Sequence, residues 1–174
     1  MAHPAATAAT SSTSCPRDDL RAYRHALGCF ATGITVVTTR APGGAPVGLT
    51  VNSFASVSLD PPLVSWCLER TALSLEAFEQ AGSFAVNVLA TDQADLVWRF
   101  AQKTHDKFAG LAFADGLDGL PLLDGVVARF ECRTAARFEG GDHLIFLGEV
   151  QRYTRFAREP LIFCTGRYGS LAHD

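Results

Sequence analysis

VGLTVNSFASVSLDPPLV, residues 47 to 64, is the stretch on which the reading of this chain turns. An apolar strand runs into short hydroxyl and amide side chains, Thr50, Asn52, Ser53, Ser56 and Ser58, and then meets Asp60, Pro61 and Pro62. Small uncharged donors beside successive backbone N–H groups suit an anion such as a phosphate held against a β-framework. Neither proline can donate to a ladder, so the pair sets a sharp exit before the next apolar run, 63 to 68. An ordinary Ser-rich strand end and turn has the same composition, and the rest of the chain has to decide between the two.

Working outward, 34 to 39 is β-branched and strand-like, 41 to 46 is a Gly/Pro turn, and 47 to 53 returns as the partner strand of a hairpin. Further strands are expected at 63 to 68, 84 to 89, 126 to 138, 144 to 153 and 161 to 165. A short helix over 73 to 81 ends at Gly82, and another runs from 93 to 103 with Asp92 as its N-cap. Near the start, Pro16 opens a helix closed by Gly33, with Leu20, Tyr23, Leu27 and Phe30 along one face. Residues 104 to 125 are broken by Gly110, Gly116, Gly119, Pro121 and Gly125 and read as irregular. Many short strands and few helices predict a mainly β protein, an antiparallel barrel and not a doubly wound sheet.

Composition narrows the function classes. A chain of 174 residues with 48% hydrophobic content fits one compact domain, 16 to 174, after a low-complexity Ala/Thr/Ser tail, 1 to 15, expected to be disordered. That tail lacks the basic start and apolar core of a signal peptide, and no run is long enough to span a bilayer, so the cytoplasm is the expected compartment. A net charge of −3 disfavours a nucleic-acid partner, which would require clustered Lys and Arg. Five cysteines without close C-x-x-C spacing argue against a disulfide framework or a zinc site, and His25 with Cys29 finds no further clustered ligand. Neither G-x-G-x-x-G nor G-x-x-x-x-G-K-[ST] occurs, so any phosphate must be held elsewhere, and the 50 to 58 cradle is the best candidate.

Five segments in order resemble one family. They are FATGITVVTT (30 to 39), the cradle, SFAVNVLA (83 to 90), GDHLIFLGEV (141 to 150) and CTGRYG (164 to 169). Together, over 22 to 170, they resemble the short-chain flavin reductases, the NAD(P)H-dependent partners of two-component flavin monooxygenases. The resemblance implies a flavin-binding split β-barrel of antiparallel, Greek-key type. It implies flavin contacts at Thr50, Val51, Asn52, Ser53, Ser56, Val57 and Ser58, with Cys67, Phe84 and Ala85 beside them and Thr32 at the start of the first hairpin. Lys103, Lys107 and Phe108 match a stretch near the flavin and the subunit boundary. His143, which taken alone could equally be a surface turn histidine, falls where the family meets the nicotinamide dinucleotide, and is the candidate catalytic residue. Gly166, Arg167, Tyr168 and Gly169 form a second dinucleotide element by the same resemblance, against a plain C-terminal turn.

The implied reaction is hydride transfer from NADH, or NADPH, to free FAD or FMN. Reduced flavin would then pass to a monooxygenase, hydroxylase or halogenase. Such chemistry resides in the cofactors and asks little of side chains beyond orientation, which suits a sequence with no acid–base constellation. A non-catalytic flavin-binding module and an oxidase of the pyridoxamine-phosphate type are the alternatives. A serine hydrolase is disfavoured because no G-x-S-x-G elbow occurs. The apolar Phe108, Leu111, Phe113 and Leu120 of the irregular segment suggest a face for a second copy, and a homodimer is expected.

Overall fold

The computed structural model describes residues 13–104 and 106–172; of the expected tail, residues 1 to 12 lie outside the described residues. The first helix, α1 (Leu20–Leu27), starts at Asp19 and not at Pro16. Asp19 Oδ1 accepts the N–H groups of Arg21 and Ala22, both at 2.9 Å, and so satisfies two orphan donors with a carboxylate at the positive helix end. The helix closes at Gly28, earlier than the expected Gly33, and the Gly28 carbonyl accepts the Thr165 N–H at 2.7 Å. Among the described residues its apolar stripe covers nothing: Leu20, Leu27 and Phe30 are 63%, 57% and 78% exposed.

The strands follow in chain order: β1 (Thr32–Gly33), β2 (Thr35–Arg40), β3 (Pro46–Val51), β4 (Ala55–Leu59), β5 (Pro62–Glu69) and β6 (Ser83–Val88). After these come β7 (Phe113–Asp115), β8 (Pro121–Leu123), β9 (Ala128–Gly140), β10 (His143–Arg155), β11 (Ile162–Cys164) and β12 (Arg167–Gly169). Two further helices, α2 (Leu75–Gln80) and α3 (Ala94–Ala101), flank β6 in sequence. Seven strands form one antiparallel sheet in the order β3-β2-β6-β9-β10-β5-β4.

That order forces the sheet to roll. Its two edge strands, β3 and β4, are consecutive, joined only by residues 52 to 54. A flat sheet would hold its edges ~29 Å apart, at about 4.8 Å per strand step. The four steps from Val51 to Ala55 reach at most ~14 Å. The edges must therefore curl together, and the Ser-rich stretch sits on the seam of a barrel. Part of it, 55 to 59, is a strand outside those expected, because pairing with β5 at Ser56↔Val64 and Ser58↔Leu63 overrides the polar composition and leaves Val57 as the extra residue of a bulge.

Inside the roll, Trp66 stacks on Phe146 at 4.6 Å and meets the edges of Phe78 and Phe84 at 5.0 and 5.6 Å. All four rings are at most 1% exposed, each contributing about 1.5 to 3 kcal/mol by burial. A second cluster packs Leu96, Val97 and Phe100 of α3 against Ile34, Val36 and Leu89. The expected cap of α3 is corrected: Gln93 takes that place, and the Asp92 carboxylate pairs with Arg158 instead.

The 104 to 125 segment, expected to be irregular and to cover a partner, turns its apolar residues inward. Phe108 and Leu120 are 8% and 2% exposed, and Leu111 and Phe113 pack on the α3 cluster. A buried polar bracket fixes the segment: Asn87 Nδ2 donates to the Val36 carbonyl at 3.0 Å and to Thr38 Oγ1 at 3.2 Å, while Asn87 Oδ1 accepts the Leu123 N–H at 3.0 Å. Thr38 in turn donates to the Pro121 carbonyl at 2.6 Å. Satisfied polar groups of this kind specify one arrangement, since any other strands a buried amide.

Candidate cofactor-binding site

Closing the barrel places Asn52 and Ser53 on the wall of a cleft of about 630 Å³. Ser53 Oγ accepts the Cys67 N–H at 2.9 Å, which ties the seam to β5 and leaves the hydroxyl proton available to a ligand. Thr50 Oγ1 is already committed, donating to the Val97 carbonyl at 2.8 Å and so fastening α3 to β3. The wall also carries Lys103, Lys107, Phe100 and Phe108. Gly48 lets this wall approach closely, since a Cβ there would lie 2.8 Å from the Phe100 ring. Lys107 Nζ donates to the carbonyls of Phe100 and Gly48 at 2.7 and 3.2 Å, and burial pushes its pKa below the usual lysine value.

His143 closes one end of this cleft as the first residue of β10, opposite Glu69 of β5. Its Nδ1 lies 2.7 Å from Asp142 Oδ1, and that hydrogen bond is the main reason the Asp142 carboxyl is held below its ordinary range; the His143 charge adds to it and Arg24 adds least. An ionised carboxylate only accepts, so Nδ1 carries the proton and Nε2 is left for a ligand.

Arg24 belongs to a second cleft, of about 940 Å³. Arg21, Arg24 and His25 of α1 line one side, and Thr32, Phe163, Thr165 and Gly166 the other. Asp19 is the acidic residue of this lining, and its carboxylate is occupied as the helix cap. Among the described residues neither Arg21 nor Arg24 forms an ion pair. Thr32 Oγ1 is buried at the wall with no hydrogen-bond partner among the described residues, and Gly166 supplies the left-handed turn at φ +77° that an L side chain would resist. Asn52 lines both clefts and is where they meet.

The expected contacts divide accordingly. Thr50, Val51, Asn52, Ser53, Cys67, Lys103, Phe108 and His143 come together on the first cleft, and Thr32, Asn52 and Gly166 on the second. Phe84 and Ala85 are corrected: β6 is covered on both faces, leaving them 1% and 0% exposed with no surface for a ligand. Ser56, Val57 and Ser58 lie on the edge strand β4 beside the seam and line neither cleft. Arg167, Tyr168 and Gly169 form β12, hydrogen-bonded to β11, and line neither cleft; the Tyr168 ring packs between Trp98 and Phe163, at 6.1 and 5.8 Å. Arg21, Arg24 and His25 were not among the expected contacts. Their signal is the polar side of α1, basic at three- and four-residue spacing opposite the apolar stripe.

Comparison with known proteins bears on what two such clefts hold. The flavin reductase like domain matches residues 27–172. The chain belongs to that family. Among curated flavin reductase relatives, the FMN reductase (NADH) SmoA of Agrobacterium fabrum is 46% identical over 157 residues, covering 90% of this chain and 89% of that one. The flavin-dependent monooxygenase reductase subunit HsaB of Rhodococcus jostii is 40% identical, covering 90% and 80%. Among solved structures, the NADH:FAD oxidoreductase SgcE6 of Streptomyces globisporus superposes with a TM-score of 0.88 at 40% identity, over 97% of this chain and 96% of that one. A second SgcE6 structure, in complex with NAD and FAD fragments, has the same TM-score. The rolled sheet is the split barrel of the flavin reductases. Among the described residues no cluster of His, Cys, Asp and Glu could hold a metal ion, and no helix is long and apolar enough to cross a membrane.

Proposed function

We propose that this chain is a flavin reductase that oxidises NADH and reduces free FAD or FMN, for use by a separate flavin-dependent monooxygenase, hydroxylase or halogenase. The observation that carries the reading is the junction at Asn52 of a donor-lined cleft and a basic one. Two anionic ligands can thus meet there. Relatives named as an NADH-dependent FMN reductase, an NADH:FAD oxidoreductase and a monooxygenase reductase subunit support it.

The residues fit these ligands: among the described residues, the Ser53 proton, the buried Thr32 hydroxyl and the Arg21 and Arg24 guanidiniums have no acceptor within the chain's own side chains or backbone and suit an anionic ligand. When both ligands are bound, the nicotinamide C4 supplies a hydride that the flavin accepts at N5. The chain's part is placement. Ser53 and the Asn52 amide hold the flavin side, with Ser56 at the exit of the seam, while Lys103 and Lys107 supply positive charge. His143, set by Asp142, offers Nε2 to the nicotinamide side and orients it. Arg21 and Arg24 meet the phosphates of a dinucleotide, NADH foremost and NADPH also admitted.

A homodimer is the expected assembly, supported now by the uncovered Leu20 and Leu27 of α1 with Phe30 just beyond it, and not by the 104 to 125 segment. The cytoplasm and a single domain over 16 to 174 complete the proposal. Light scattering that gives a monomer mass with full activity would overturn the dimer. The deciding experiment for function is NADH decay followed by absorbance, with and without added FAD or FMN. Flavin-dependent decay is expected; flavin binding with no NADH consumption would make the protein a binding module.

A further inference from the structure

Two of the five cysteines are neighbours at the rim of the second cleft. The N–H of Thr165 donates to the Gly28 carbonyl at 2.7 Å, so the exit of α1 and the β11–β12 turn run against each other there. Cys29 and Cys164 are the next residues inward on the two segments. Cys164 Sγ lies 3.8 Å from the Cys29 carbonyl oxygen. Cys29 Sγ lies back over the last helical turn, 3.5 Å from the His25 carbonyl. That contact is weak and does little to hold the Cys29 side chain in its present χ1 well. No other pair of thiols is so placed: Cys132 is buried in the core, Cys67 lines the first cleft, and Cys15 lies beyond the far end of α1, which is ~12 Å long.

The surroundings give such a bond a consequence. α1 buries no residue, and its exit is held to the body through the Gly28 carbonyl. Its Gly28 and Phe30 form one lip of the second cleft, and Phe163 and Thr165 the other. Thr165 has φ 49°, a left-handed value unfavourable for a β-branched residue, so this turn is under local strain before any crosslink.

We propose that Cys29 and Cys164 form a reversible disulfide under peroxide, which draws the two lips together and weakens dinucleotide binding in the second cleft. One thiolate attacks hydrogen peroxide to give a sulfenic acid and hydroxide, the hydroxide takes up the proton that this thiol released, and the second thiol displaces water from the sulfenic acid. Overall, two thiols and one hydrogen peroxide give one disulfide and two waters. The regulatory meaning rests on the proposed reductase activity: reduced flavin released without an oxygenase to receive it reduces dioxygen to peroxide. The switch would then slow the enzyme when its product is being wasted.

The test adds hydrogen peroxide directly to the full chain, so the bond is read independently of reductase activity. A mass loss of about 2 Da, reversed by dithiothreitol, is expected, with peptides carrying Cys29 and Cys164 joined in the non-reduced digest. Cys29→Ser and Cys164→Ser should each abolish that loss, while Cys15→Ser and Cys67→Ser should not. NAD affinity by calorimetry should fall at least about fivefold on oxidation and recover on reduction. A mass loss that persists in Cys164→Ser, or a disulfide mapped to other cysteines, overturns the pair. A Cys29–Cys164 bond that leaves NAD affinity unchanged overturns the regulatory role.

Discussion

Ser53 and Cys67 hold the barrel shut: the Ser53 hydroxyl oxygen accepts the Cys67 N–H at 2.9 Å, joining the linker between the two edge strands to β5. One side chain thus serves both fold and ligand. Ser53→Ala removes a donor to a charged phosphate, about 1.5 to 3 kcal/mol, and should raise the apparent flavin constant more than tenfold. It also unpairs the Cys67 N–H, at about 1 kcal/mol of stability. Ser56→Ala, on the edge strand outside both clefts, should change flavin affinity less. Fluorescence quenching and thermal melts check both, and an unaltered flavin constant in folded Ser53→Ala would move the flavin elsewhere.

His143→Ala should separate the two ligands. Flavin affinity should hold within a few fold, because Asn52 and Ser53 are untouched. Specificity for NADH should fall ~30- to 150-fold, the equivalent of about 2 to 3 kcal/mol of transition-state stabilisation. Hydride transfer needs no general base, so residual activity is expected. Asp142→Asn should show a smaller effect in the same direction by releasing the ring. Loss of flavin binding with unchanged NADH kinetics would refute the placement.

Arg21→Ala combined with Arg24→Ala should weaken NADH binding about tenfold while FMN and FAD binding holds within a few fold. The salt dependence of NADH affinity should also flatten, as two cations are lost. Because α1 buries no residue, melting should be unaffected. Unchanged NADH affinity with weakened flavin binding would mean that the second cleft is not the NADH side.

Gly148 lies under Phe84, where an added Cβ would approach the ring to 2.3 Å. Gly148→Ala should cost about 1 to 3 kcal/mol in denaturant unfolding, with Phe84→Leu in the same chain recovering part of it. Strictly additive losses would show that the two positions do not couple.

Cys132 sets a limit on alkaline stability. Burial first, and then the Glu131 charge, push its pKa from 9.0 up to about 12. The folded state keeps the proton that the unfolded state gives up, so this contribution is complete below pH 9 and lost as pH rises toward 12. The slope reaches about 1.4 kcal/mol per pH unit. Lys107, lowered by burial, acts in the opposite sense approaching its unfolded value from below. Cys132→Val should remove the alkaline decline relative to wild type in melts from pH 8.5 to 11.

Local pattern was enough for much of this protein. Alternating and β-branched runs mark strands because side-chain direction repeats every two residues, so β2, β5, β6, β9 and β10 are legible within a few positions. The chemistry of Asn52 and Ser53 and the turn before His143 are equally local. Burial is not local. Phe84 and Ala85 look like Asn52 and Ser53 in their resemblance to a flavin contact, yet β6 lies between β2 and β9 and keeps none of their surface. The apolar stripe on α1 finds no partner among the described residues, whereas Phe108 and Leu120 read as an interface and are core. Strand order decides each case, and it depends on pairings between residues up to tens of positions apart that no single window contains. The seam shows this most directly: only with β3 and β4 at opposite edges does a three-residue linker become the wall between two clefts.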